Sequence, residues 1–81
     1  MYIVFGKQLR LERKKRGLSA ETLAKACGIS RSYIVLIEGG KRLPSKKVLP
    51  NIARALNLGV AEILNWYLED VRAKMHQSLD L

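Results

Sequence analysis

Residues 18–40, LSAETLAKACGISRSYIVLIEGG, hold two short helical segments that begin in the same way. Ser19 is a natural N-cap, because its side-chain oxygen can accept one of the amide hydrogens left free in a first helical turn. Leu18 before it and Leu23 one turn on have the spacing of a hydrophobic staple. Ser30 repeats the arrangement, with Ile29 and Ile34 as its apolar pair. Leu23, Ala24 and Cys27 give the first segment an inward side, and Ile34 and Ile37 give one to the second. Cys27-Gly28-Ile29 joins them, and Gly28 can take the positive φ that so short a connection needs. Gly39-Gly40 ends the second segment. Two short helices across a glycine turn make a helix-turn-helix unit, expected over about residues 19–39.

Working outward, a helix from about Phe5 to Arg16 precedes this unit, turns Phe5 and Leu9 inward and stops at Gly17. Its last turn, Arg13-Lys14-Lys15-Arg16, suits the negative end of a helix dipole. After the unit, Ser45-Lys46-Lys47 reads as an irregular approach to a short helix with Pro50 in its first turn. Ile52, Ala53 and Leu56 are its buried side, and Asn57 is suited to a left-handed cap. A longer helix over about residues 60–77 carries Val60, Ile63, Leu64, Tyr67, Leu68, Val71 and Met75 at three- and four-residue steps. Glu62, Asn65, Glu69, Arg72 and Lys74 lie on its other side. The expected architecture is all-α: one five-helix domain over residues 1–81 with an extended C-terminal helix.

The 81 residues suit one compact domain, and a hydrophobic content of 48% marks it as globular. The net charge of +8 is unevenly placed. Residues 1–57 hold 13 Lys/Arg against three Asp/Glu, whereas residues 58–81 hold two against four. The first two-thirds should therefore face a polyanion, and the last third has another task. A single cysteine excludes an intrachain disulfide, and Cys27 reads as a small buried hydrophobe. His76, the only histidine, is far from it in sequence, so no metal-ligand spacing exists. No Ser/His/acid or paired-carboxylate grouping is visible, and neither a cofactor, a metal nor an enzymatic activity is expected. The apolar start Met1–Phe5 lacks the basic flank and the length of a secretion signal. No stretch nears the roughly 20 apolar residues needed to cross a bilayer, so the expected location is the cytoplasm, with no membrane partner.

Residues 18–45 resemble the Cro/cI-type, or XRE-like, helix-turn-helix repressor family. Ala24, Gly28 and Ile34 match its three signature positions: a small residue at the helix crossing, a turn glycine, and a wedge between the helices. The run Ile37-Glu38-Gly39-Gly40-Lys41-Arg42-Leu43-Pro44 matches the family's I-E-x-G-K-R-x-P. Leu9 and Arg13 match its first helix, and Leu56-Asn57-Leu58-Gly59-Val60 the approach to its last; the likeness covers about residues 5–64.

The resemblance implies a phage-repressor-like fold whose third helix enters the major groove of double-stranded DNA. Arg31, Ser32, Val35 and Leu36 then point away from Ile34 and Ile37 and are the candidate base contacts. Arg31 suits a guanine edge, Ser32 suits several bases, and Val35 and Leu36 suit thymine methyl groups. Arg10, Ser30, Tyr33, Lys41, Arg42 and Lys46, with Lys47, are candidate backbone contacts, which fix register without reading sequence. Arg13 and Glu38 are expected to form a structural ion pair. Ala20 departs from the glutamine usual in the family at the start of the second helix, and Val35 from a small polar residue.

The family's last helix often ends near the position of Leu64, whereas here the apolar positions continue. They lead to the expectation of a homodimer through Ile63, Tyr67, Leu68 and Val71, with residues 1–4 able to join the contact, reading two half-sites roughly 34 Å apart. The alternative is that the stripe folds back on its own core. The resulting expectation is a transcriptional regulator that represses from a palindromic operator. The competing expectation is an antitoxin-like or other interaction module that captures a partner protein through the last helix.

Overall fold

The computed structural model describes residues 1–79, with side chains through Gln77. Among these residues are five helices and no strand: α1 (Ile3–Lys15), α2 (Ala20–Cys27), α3 (Arg31–Glu38), α4 (Leu49–Leu56) and α5 (Val60–Leu79). Ser19 Oγ accepts the Thr22 N–H at 3.0 Å and Ser30 Oγ accepts the Tyr33 N–H at 3.1 Å, so both serines cap as their positions require. Gly28 takes a left-handed conformation with φ 71°, and the Ile29 N–H donates back to the Ala24 carbonyl at 3.0 Å. That geometry closes α2 and redirects the chain into α3 within three residues. Pro50 lies in the first turn of α4, and Asn57 closes that helix with φ 55°.

The core is built from Phe5 and Leu9 of α1, Leu23 and Cys27 of α2, Ile34 and Ile37 of α3, Ile52 and Leu56 of α4, and Ile63 and Trp66 of α5. Each large aliphatic or aromatic side chain removed from water contributes about 1.5–3 kcal/mol. Phe5 and Trp66 meet edge to face, with ring centroids 5.7 Å apart. Gly6 allows α1 to approach the end of α3, because a Cβ there would stand 2.6 Å from the Ile37 carbonyl oxygen.

Two expectations shift. α1 begins at Ile3, ahead of Phe5, although Tyr2 gives it no side-chain cap. The cap comes from α5: Asp70 accepts the Val4 N–H at 3.0 Å and the Phe5 N–H at 2.7 Å. In α5 the buried side runs through Ile63, Trp66 and Asp70, with Tyr67 half-buried. The expected apolar stripe is therefore divided. Ile63 packs into the chain's own core, while Val60, Leu64, Leu68 and Met75 are exposed.

Candidate nucleic-acid interface

α3 is held by its inner side. Ile34 and Ile37 are fully buried, and α1, α2 and the Ser30 cap fix the helix axis. A helix pinned along one edge must present the other, and Arg31, Ser32, Val35 and Leu36 are all exposed. Val35 and Leu36 retain 49% and 41% of their accessible surface, a large apolar exposure for neighbours in so short a helix. Ser30 stands at the start of the same edge. Its oxygen serves the Tyr33 amide, and its hydroxyl hydrogen remains a donor.

The segment after α3 runs beside this edge and carries most of the neighbouring charge. Lys41, Arg42, Lys46 and Lys47 are exposed, while Pro44 is buried and Leu43 half-buried, so the segment is anchored by its middle. Tyr33 bridges helix and segment. The Ser45 N–H donates to Tyr33 Oη at 3.0 Å, and the Arg42 guanidinium lies 4.8 Å from the ring centroid. Arg10 is exposed on α1, one turn from Gly6 and one turn from Arg13, on the side of α1 that meets the end of α3.

Arg13 and Glu38 form a two-pronged pair. Arg13 Nε donates to Glu38 Oε2 at 2.7 Å and Nη2 to Oε1 at 3.0 Å, while Nη1 donates to the Leu18 carbonyl at 2.8 Å. One guanidinium thus joins α1, the α1–α2 connection and the end of α3. Both side chains are about nine-tenths buried. Glu38 holds Arg13 above its ordinary range against the opposing effect of burial. Arg16 is also paired, with Glu12 at 2.7 Å, and that contact with nearby Lys15 keeps Glu12 below the usual carboxylate value. The basic last turn of α1 is therefore partly consumed within the protein. Cys27 is buried, and desolvation pushes its thiol up.

Four further residues, Asp70, Asn51, Tyr2 and Lys74, make contacts that the sequence pattern did not assign to them. Asp70 lies on the buried side of α5, and its signal was available: it falls at helical spacing from Ile63 and Trp66, while α1 has no local cap residue. Asn51 donates from Nδ2 to the Cys27 carbonyl at 3.2 Å and ties α4 to the end of α2. The Tyr2 N–H donates to the Gly40 carbonyl at 2.9 Å, and Lys74 Nζ donates to Tyr2 Oη at 2.7 Å. The segment after α3 is thereby linked through Tyr2 to α5. Among the described residues no three His, Cys, Asp or Glu side chains gather as a metal site, and no helix is long and apolar enough to cross a membrane.

Residues 4–66 match the helix-turn-helix domain family. The HTH-type transcriptional regulator YazB of Bacillus subtilis strain 168 is 40% identical over 60 residues, covering 74% of this chain and 87% of that protein. The restriction-modification controller protein C.AhdI from Aeromonas hydrophila superposes with a TM-score of 0.72 and 39% identity, covering 76% of this chain and 94% of that one. SinR, a master regulator for biofilm formation solved in complex with DNA, superposes with a TM-score of 0.68 and 30% identity, covering 74% and 97%. The wedge, the turn glycine and the bridged arginine thus sit in a scaffold shared with regulators of transcription, and the chain belongs to the Cro/cI-type, XRE-like helix-turn-helix family.

Proposed function

We propose that this DNA-binding regulator reads a specific duplex sequence with α3 and represses transcription by occupying its operator as a symmetric dimer. The observation that carries the reading is the exposed edge Arg31-Ser32-Val35-Leu36 beside the cationic Lys41, Arg42 and Lys46. Arg31 addresses a guanine or a phosphate, Ser32 a base edge, and Val35 and Leu36 thymine methyl groups. Arg10, Ser30, Lys41, Arg42 and Lys46 hold phosphates. SinR, a relative solved with DNA, supports the choice of partner. A DNA partner supports a cytoplasmic location.

The dimer is proposed through the row of exposed Leu64, Leu68 and Met75 with the half-buried Val71, on the side of α5 opposite Trp66 and Asp70. A shallow groove of about 400 Å³ lined by Leu68, Val71, Arg72, Met75 and His76 follows the row. Ile63 does not take part, being fully enclosed in its own subunit. The same row is what favours the second reading, docking of a different protein on α5.

Selection from random duplexes, followed by titration of the preferred sequence, tests the proposal. Arg31→Ala should weaken the preferred sequence by roughly 1–3 kcal/mol and leave non-specific binding in place. Lys41→Ala should weaken all duplexes alike and reduce the salt slope by about 0.9. A wild-type protein that ignores duplexes in dilute buffer would overturn the reading. Light scattering at tens of micromolar tests the dimer, which Leu68→Glu should dissociate; a monomeric wild type would remove it.

A further inference from the structure

Tyr33 stands at the join between the reading helix and the cationic segment, and both of its functional parts are already engaged. Its hydroxyl oxygen receives the Ser45 amide hydrogen at 3.0 Å. Its ring lies under the Arg42 guanidinium, 4.8 Å from centroid to Cζ. The ring is half-buried against the core, so the platform is rigid, and the buried Pro44 holds the segment between the two contacts. An arginine side chain free in water samples many rotamers and must give them up to hold a phosphate. A guanidinium already stacked on an aromatic face has lost much of that freedom beforehand.

We infer that Tyr33 is a positioning residue for DNA binding: it acts through Arg42, holding the guanidinium in place for a phosphate, and is not itself the phosphate ligand. The inference rests on the duplex-binding reading and refines one part of it. Charge separates the two roles. A phenol that touches a phosphate directly neutralises no charge and releases no counterion, so its loss leaves the salt slope unchanged. A phenol that holds a cation at the phosphate alters the slope when it is removed.

The test is a double-mutant cycle on the preferred duplex, titrated across salt concentrations. The variants are Tyr33→Leu, Tyr33→Phe, Arg42→Ala and the double substitution Tyr33→Leu/Arg42→Ala. Tyr33→Leu should weaken binding by roughly three- to tenfold and flatten the slope in the same direction as Arg42→Ala, by up to about 0.9. In the Arg42→Ala background it should cost less than about twofold, because positioning has nothing left to act on. Tyr33→Phe keeps the ring and should stay within about twofold of wild type. A slope unchanged by Tyr33→Leu, losses that multiply in the double variant, or a Tyr33→Phe loss equal to that of Tyr33→Leu would each overturn the inference while leaving duplex binding intact. Failure of the wild type to bind any duplex would overturn both. Should Tyr33→Leu not fold, the wild-type protein carries the test by NMR. The Arg42 side-chain protons should be shifted upfield by the Tyr33 ring and remain so when duplex is added; their return to ordinary positions on binding would overturn the inference.

Discussion

Asp70 and Phe5 are joined by a 2.7 Å hydrogen bond that spans 65 positions of sequence. The carboxylate does for α1 what Ser19 and Ser30 do locally for α2 and α3, and its charge also suits the positive end of the helix dipole. Asp70→Ala should leave two amides without an acceptor and cost about 2–4 kcal/mol. Asp70→Asn keeps one acceptor oxygen and should cost less. Urea unfolding followed by Trp66 fluorescence measures both, and an unchanged midpoint for Asp70→Ala would refute the assignment.

Glu38→Gln removes the counter-charge of a guanidinium that is about nine-tenths buried. The expected loss is roughly 3–5 kcal/mol, because Arg13 stays charged at any working pH. For a domain of this size each kcal/mol lowers the melting temperature by about 4–8 °C. The order of preference among duplexes should not change at temperatures where the variant is folded, because the pair faces inward from the exposed edge proposed to read DNA. A change in preferred sequence without a drop in melting temperature would contradict this.

Alanine normally improves a helix interior over glycine by up to about 1 kcal/mol. Gly6→Ala should do the opposite. Its methyl carbon would lie 2.6 Å from the Ile37 carbonyl oxygen and 2.9 Å from that of Glu38, both backbone atoms that side-chain rotation cannot move. A loss of roughly 1–3 kcal/mol is expected as α1 is pushed from α3. A more stable Gly6→Ala protein in calorimetry would show that the two helices can separate freely.

Cys27 is 2% exposed, and burial pushes its thiol above the ordinary value of 9.0. Both the low thiolate fraction and the lack of access protect it. In native buffer an aromatic disulfide reagent should label it only as fast as the domain opens. The labelled fraction should rise with urea in step with the Trp66 signal; rapid stoichiometric labelling of folded protein would contradict the burial.

What the sequence made legible was whatever its local chemistry decides. The serine caps, Gly28, Asn57 and the Leu9, Leu23, Ile34 and Ile37 core positions each depend on residues within a turn or two, and the helix-turn-helix follows from them. The start of α1 is not decided locally, because its cap arrives from Asp70 on another helix, and only the spacing of Asp70 from Ile63 and Trp66 hints at it. The orientation of α5 was ambiguous for a different reason. Seven apolar positions cover more than one side of a helix, and the choice between Ile63 inside and Leu64 outside is made by Phe5 receiving Trp66 edge to face. The edge of α3 proposed to read DNA was expected through the resemblance, and the structure shows its four residues exposed. The engagement of Tyr33 with Arg42 and Ser45 depends on the path of the segment after α3, which no helical periodicity encodes.

The remote cap on α1 also bears on how the domain is made. Residues 4–66 span the shared family fold, yet the acceptor for the amides of residues 4 and 5 lies four positions past it. A chain ending at Trp66 would hold every signature position with the first helix still unlatched. The N-terminal frame is therefore complete only when the final helix is present, and a fragment cut at the family boundary should fray from its beginning, not from its cut end.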